Sequence, residues 1–215
     1  MDVLNILLGW LLGTLSPAIV DAIKSKRDAA SGRAAIDNEL KEFTSVLLAA
    51  SFRAKCAHGT LDRPYLEWLH RRLTEIADEP SQKFLEMLTP ALSVEITEAE
   101  FAAVVRALAG RDGRAILMQK YAVPLLDYRV SALQSFDTAY QIKLLQVRRN
   151  IALLDAIVDQ SREFYRLTFS VQGNNHERVS GNLVQTYGEY ADRSKIIADQ
   201  ISALRTLKKS SWFRG

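Results

Sequence analysis

Val3-Leu-Asn-Ile-Leu-Leu-Gly-Trp-Leu-Leu-Gly-Thr-Leu-Ser-Pro-Ala-Ile-Val20 carries no charged side chain, and Lys24-Ser25-Lys26-Arg27 follows directly behind it. Ten of these residues are Leu, Ile or Val. Each contributes roughly −0.3 to −0.6 kcal/mol to insertion near a helix centre, so together they supply at most about −3 to −6 kcal/mol. Asn5, Ser16 and Pro17 subtract from that. As a helix the stretch reaches about 27 Å, slightly short of a hydrocarbon core of about 30 Å. Ala22 and Ile23 can lengthen it, with Asp21 at the interface.

The stretch therefore reads as a membrane anchor. A secretory signal fits poorly: the terminus holds Asp2 and no Lys or Arg, and Pro17-Ala18-Ile19-Val20-Asp21 is a poor cleavage site. A buried or interfacial helix is the competing reading, although an uncharged run of this length is long for a core helix. Lys24, Lys26, Arg27 and Arg33 flank the C-terminal side, and basic flanks stay inside. The expected topology is a single-pass protein of the inner (cytoplasmic) membrane, with its N-terminus out and its domain in the cytoplasm. A single cysteine, Cys56, builds no intrachain disulfide and agrees with that side. Asn5, Gly9, Gly13 and Pro17 recur at spacing four. On a helix they share one face on which two anchors could pair closely, making a homo-oligomer.

Composition bounds the remainder. The chain has 215 residues, enough for one domain beside the anchor; 48% are hydrophobic and 25% charged, as in ordinary folded proteins. The net charge is +3, but between residues 34 and 204 stand 20 bases against 22 acids. A body of that charge does not indicate nucleic-acid binding. The cationic excess lies at the two ends, where it can meet an anionic leaflet.

The periodicities predict an all-α fold: residues 1–27 anchor and basic flank, 28–126 a bundle of shorter helices, 127–207 a long antiparallel coiled-coil hairpin, 208–215 a basic-aromatic tail. Residues 28–33 read as a hinge or as continued helix. Ile36, Leu40, Phe43, Leu47 and Ala50 mark a helix closed at His58-Gly59. Asp62 is the expected N-cap of the next, with Pro64 in its first turn, Leu66, Leu69, Leu73 and Ile76 along it, and Pro80 as its stop. A short helix over 81–88 follows, then a capping box of Thr97 with Glu100. Pro124 is expected to interrupt a short helical or irregular piece over 115–126. From Val130 through Leu133, Phe136, Tyr140, Leu144, Val147, Ile151, Leu154 and Val158 the apolar steps average near 3.5. They predict one helix over 128–171, about 66 Å long. Gly173-Asn174-Asn175 supplies the turn, and a return helix of about 48 Å over 176–207 carries Val179, Leu183, Tyr187, Tyr190, Ile197, Ile201 and Leu204. Gly181 and Gly188 are expected where the two arms close tightly, and the excess of the longer arm is expected to pack on the helices of 34–126.

Nothing points to chemistry. His58, His70, His176 and Cys56 lack paired metal-ligand spacing. Asp155, Asp159 and Glu163 form a row expected to be answered by Arg148, Arg149 and Arg162 rather than to hold a metal. There is no phosphate loop, nucleophile elbow or His-Glu-x-x-His, so no enzyme activity, catalytic residue or cofactor is assigned. The tail Lys208-Lys209-Ser-Ser-Trp212-Phe213-Arg214 puts bases beside aromatics, a pattern suited to the membrane interface.

The expected role is a membrane-tethered cytoplasmic interaction or scaffold protein with a protein partner the sequence does not identify. Two alternatives are a membrane-perturbing effector whose anchors cluster on triggering, and a soluble helical protein that buries residues 3–20.

Overall fold

The structure, a computed structural model, describes residues 3–92, 97–109, 116–128 and 136–211; side chains of residues 3–23, 25, 26, 29, 108, 109, 128 and 207–211 lie outside that description. Among the described residues the chain is all-α and has no strand. The helices are α1 (Val3–His58), α2 (Arg63–Ile76), α3 (Glu79–Leu88), α4 (Glu98–Ala109), α5 (Pro124–Tyr128), α6 (Thr138–Leu167) and α7 (Asn174–Ser211), with a 3-10 turn over Thr89–Leu92.

Residues 28–33 are helix, not a hinge: α1 runs unbroken for 56 residues, about 84 Å. Its end is as expected. Gly59 adopts φ +79, the left-handed conformation that glycine takes without a Cβ penalty, and its N–H donates to the carbonyls of Lys55 and Cys56.

Local chemistry sets the next boundaries. Asp62 caps α2 by accepting from the Tyr65 N–H, with Pro64 in the first turn. The helix ends at Ile76, where Ala77 turns left-handed. Pro80 thus does not stop α2; it opens α3 behind its own cap, Asp78. Proline at the first turn of a helix loses no hydrogen bond, and a stop and a start two or three residues apart look alike in sequence. Thr97 and Glu100 form the expected capping box.

Pro124 likewise begins a helix. The N–H groups of Leu125 and Leu126 donate to the two carboxylate oxygens of Glu39, both at 2.8 Å. A side chain on α1 thus caps α5, which no local spacing could foretell. Preceding it, the irregular segment 116–123 is pinned at Ile116, whose N–H and carbonyl both bond the Tyr187 hydroxyl at 3.1 Å.

The largest departure is α6. It starts at Thr138, behind the cap Asp137, and ends at Leu167, about 45 Å instead of 66 Å. Residues 129–135 lie outside the described residues. The return helix α7 is the longer, about 57 Å over 38 residues. Gly173 takes φ +60 in the turn between them, as expected.

The core explains the lengths. α7 packs along both α6 and α1. Leu183, Tyr187, Tyr190, Ile197, Ile201 and Leu204 of α7 meet Leu144, Val147, Ile151, Leu154 and Val158 of α6 and Ile36, Leu40, Phe43 and Leu47 of α1. α7, the longer of the two helices, thus covers α1 as well as α6 with the same buried residues. A second cluster joins α2, α3 and α4 to Leu48 and Phe52 of α1 and Ala198 of α7.

Gly188 and Gly181 differ. A Cβ at Gly188 would lie 2.9 Å from Nε2 of His58, so the glycine admits the end of α1, not the other hairpin arm; Gly181 has open space around it.

Candidate functional site

Along α1 an exposed stretch ending at Ser31 gives way to a buried register. Lys24, Arg27, Asp28, Ala30 and Ser31 are exposed, whereas Ile36, Asp37 and Leu40 are buried. At this boundary α1 meets the start of α6. The Arg33 guanidinium pairs with Asp137 and lies 4.1 Å from the centroid of the Tyr140 ring. Asp137 is simultaneously the α6 cap, accepting from the Tyr140 N–H at 2.9 Å. That backbone donor, with Arg33, outweighs partial burial and holds the Asp137 carboxyl below its usual range. Tyr140 is 1% exposed, and its hydroxyl donates to Asp37 at 2.8 Å. Burial, then the neighbouring Asp37 carboxylate, pushes the phenol far up, so it stays a donor. One aromatic ring thus joins a cap, a cation and a buried acid from two helices.

A second polar junction ties α2 to α7. Asp199 accepts from Trp68 Nε1 at 2.7 Å, Arg72 Nε at 2.9 Å and Lys195 Nζ at 3.0 Å. Arg72 reaches on to Glu75 and Ser202. Burial alone would raise the Asp199 carboxyl, but these donors outweigh it and hold it below the usual carboxylate range. The stability it supplies is present above the unfolded carboxylate value and is lost as pH falls through the folded one. The melting gap between the parent and Asp199→Asn should therefore be flat above about pH 5 and shrink below about pH 4. A gap unchanged down to pH 2.5 would show that the charge of Asp199 is not what these donors recognise.

Several other titratable residues have structural roles. Burial pushes the Cys56 thiol up to about 11, so it is protonated and unreactive at neutral pH. His58 bonds Thr60 and covers Gly188, and His176 is exposed. Asp159 is answered by Lys120, not by an arginine; Arg148 pairs with Asp127, and Arg166 approaches Glu163 at 3.7 Å. Among the described residues no group of three or more His, Cys, Asp or Glu is placed to hold a metal.

Of the residues read from the sequence as sites, Lys24 and Arg27 are exposed on α1, on the last turns before the bundle. Asn5, Gly9, Gly13 and Pro17 fall on the same continuous helix, but their side chains, and that of Lys26, lie outside the described residues. Lys208 and Lys209 end α7 with side chains outside the description, and Trp212, Phe213 and Arg214 lie outside it altogether. Among the residues whose side chains are described, a set that leaves out 3–23, no helix is long and apolar enough to cross a membrane. The Arg33–Asp137–Tyr140–Asp37 junction escaped sequence reading. Its only signal was an acid, Asp37, in a buried helix register beside Ile36.

The chain matches no protein-family model, no curated protein and no solved structure.

Proposed function

We propose that this protein is a membrane-tethered helical interaction protein that works by binding and not by catalysis, with its bundle on the cytoplasmic side. The observation that carries this reading is the continuity of α1. The uncharged run 3–20 and the buried register Ile36 to Ala54 belong to one helix, so whatever holds the first part also positions the second. The run would sit in the membrane and exposed Lys24 and Arg27 at the inner leaflet. The basic-aromatic tail would follow α7 to the same leaflet, and α6 and α7 would wind around each other as a coiled coil.

Carbonate extraction of membranes tests it. The parent should stay in the pellet. Leu11→Arg with Leu12→Arg adds roughly 5 to 7 kcal/mol at the helix centre, more than the apolar residues supply, and should release a folded bundle into the supernatant. In a Cys56→Ser background, Asn5→Cys should react with an impermeant thiol reagent from outside intact cells. A parent that is monodisperse without detergent overturns the tether.

A further inference from the structure

Helix α6 has a second apolar stripe, on the face turned away from the core. Ile142 is 52% exposed, Leu145 48% and Leu153 40%, and the exposed Ala152 and Ala156 complete it. Taken at 100° per residue these positions centre opposite Tyr140, Val147, Leu154 and Val158, the buried register. Arg149 is the one charge within the stripe and makes no ion pair among the described residues. The face opens beside Leu153 onto a shallow groove of about 450 Å³, with Ile196 of α7 on its far wall.

We propose that this face pairs with the same face of a second copy of this chain, antiparallel, about a two-fold axis at Ala156. The argument is self-complementarity along the helix. Arg149 lies seven residues before Ala156 and exposed Glu163 seven after it, each about 10 Å from the centre. A two-fold at Ala156 therefore sets Arg149 of each copy against Glu163 of the other. Glu163 is free for this, since its own-chain partner Arg166 stands 3.7 Å away on two well-exposed side chains. Leu145 and half-buried Leu167 are likewise equidistant from the centre, eleven residues either side, so each meets its counterpart. Phe169, at 76% the most exposed large apolar side chain among the described residues, then comes over the Ile142 end of the partner. Ala156 at the axis lets the helices approach closely, with Ala152 four residues away, about 6 Å, against Gln160 of the partner. No other register pairs the lone cation with an acid and the apolar ends with each other, and an isologous interface needs only such a patch.

The inference stands on α6 alone and does not require residues 3–20 to lie in lipid. Its test uses the full chain in Cys56→Ser background, in native membranes or in whichever fraction the chain occupies. Ala156→Cys should form a disulfide-linked dimer on mild oxidation, and Glu67→Cys, exposed on α2, should not. By sedimentation of the purified chain, Arg149→Glu should weaken dimerisation about tenfold or more, and Arg149→Glu with Glu163→Arg should restore it while helical content stays constant. Such a rescue is not explained by misfolding. Absence of the Ala156→Cys crosslink, or a dimer indifferent to Leu145→Glu with Leu153→Glu, overturns the proposal and places self-association elsewhere, the Gly9 and Gly13 face included.

Discussion

Replacing Tyr140 with alanine should lower stability by about 3 to 5 kcal/mol, the ordinary cost of emptying a fully buried aromatic site. For a chain of this size that is a fall of roughly 10 °C in Tm. The ring is 1% exposed and packs edge-on against Phe136, with centroids 5.3 Å apart. Its loss takes away the surface beneath Arg33 and the donor to Asp37, where α1 enters the bundle. Tyr140→Phe separates the contributions. It keeps the ring and removes only the hydrogen bond to the buried acid, so it should cost about 1 to 3 kcal/mol. Arg33→Ala should cost less still, about 0.5 to 1 kcal/mol, because a cation that keeps part of its solvent exposure over a ring contributes little. Thermal melts by circular dichroism give the order. If Tyr140→Ala melts within two degrees of the parent, this junction does not hold α1 to α6, and the N-terminal part of α1 is not mechanically joined to the bundle there.

That junction also shows what the sequence could and could not convey. Periodicity placed the core correctly wherever one helix face is buried against whatever lies opposite. Ile36, Leu40, Phe43 and Leu47, the Leu66 to Ile76 series, and Leu144 to Val158 are all buried. A period of 3.5 to 3.6 reports that a face is covered, however, and not by which helix. The pattern on α7 was read as one arm of a pair, yet its residues also cover α1. Boundaries were legible where the capping group is local, as at Asp62, Thr97, Gly59 and Gly173. They were not legible where the cap is distant, as with Glu39 on α5, or where apolar spacing happens to continue through a loop. Phe136 sits in register with Tyr140 and lies before the helix, so the count ran past the true start at Asp137. The outward stripe of α6 was missed for a related reason. Once one register of a helix is assigned to the core, a second set of apolar residues reads as background.

Trp68→Ala should be nearly as costly as Tyr140→Ala, about 3 to 5 kcal/mol, but its consequence should be spatially confined. Trp68 is 4% exposed; its ring lies 5.3 Å from that of Tyr65, and its indole N–H donates to Asp199. It belongs to the cluster of α2, α3 and α4, whose buried apolar contacts with the three-helix core run through Leu48 and Phe52 of α1 and Ala198 of α7, beside the Asp199 junction. The α1–α6–α7 core closes on itself with its own buried set from Ile36 to Leu204. Cooperative units of a protein follow such contiguous sets of buried contacts. In hydrogen exchange, Trp68→Ala should therefore accelerate the amides of α2, α3 and α4 by a hundredfold or more while those of α6 and the middle of α7 stay protected. Tyr140→Ala should do the reverse, loosening the first turns of α6 and the Arg33 to Leu40 stretch of α1. Uniform acceleration in both variants would mean that the two clusters unfold as one unit. In that case the α2–α4 layer could not detach to expose Leu48, Phe52 and Ala198 without dismantling α1 itself, and any partner would have to be met on the outer surface of an intact bundle.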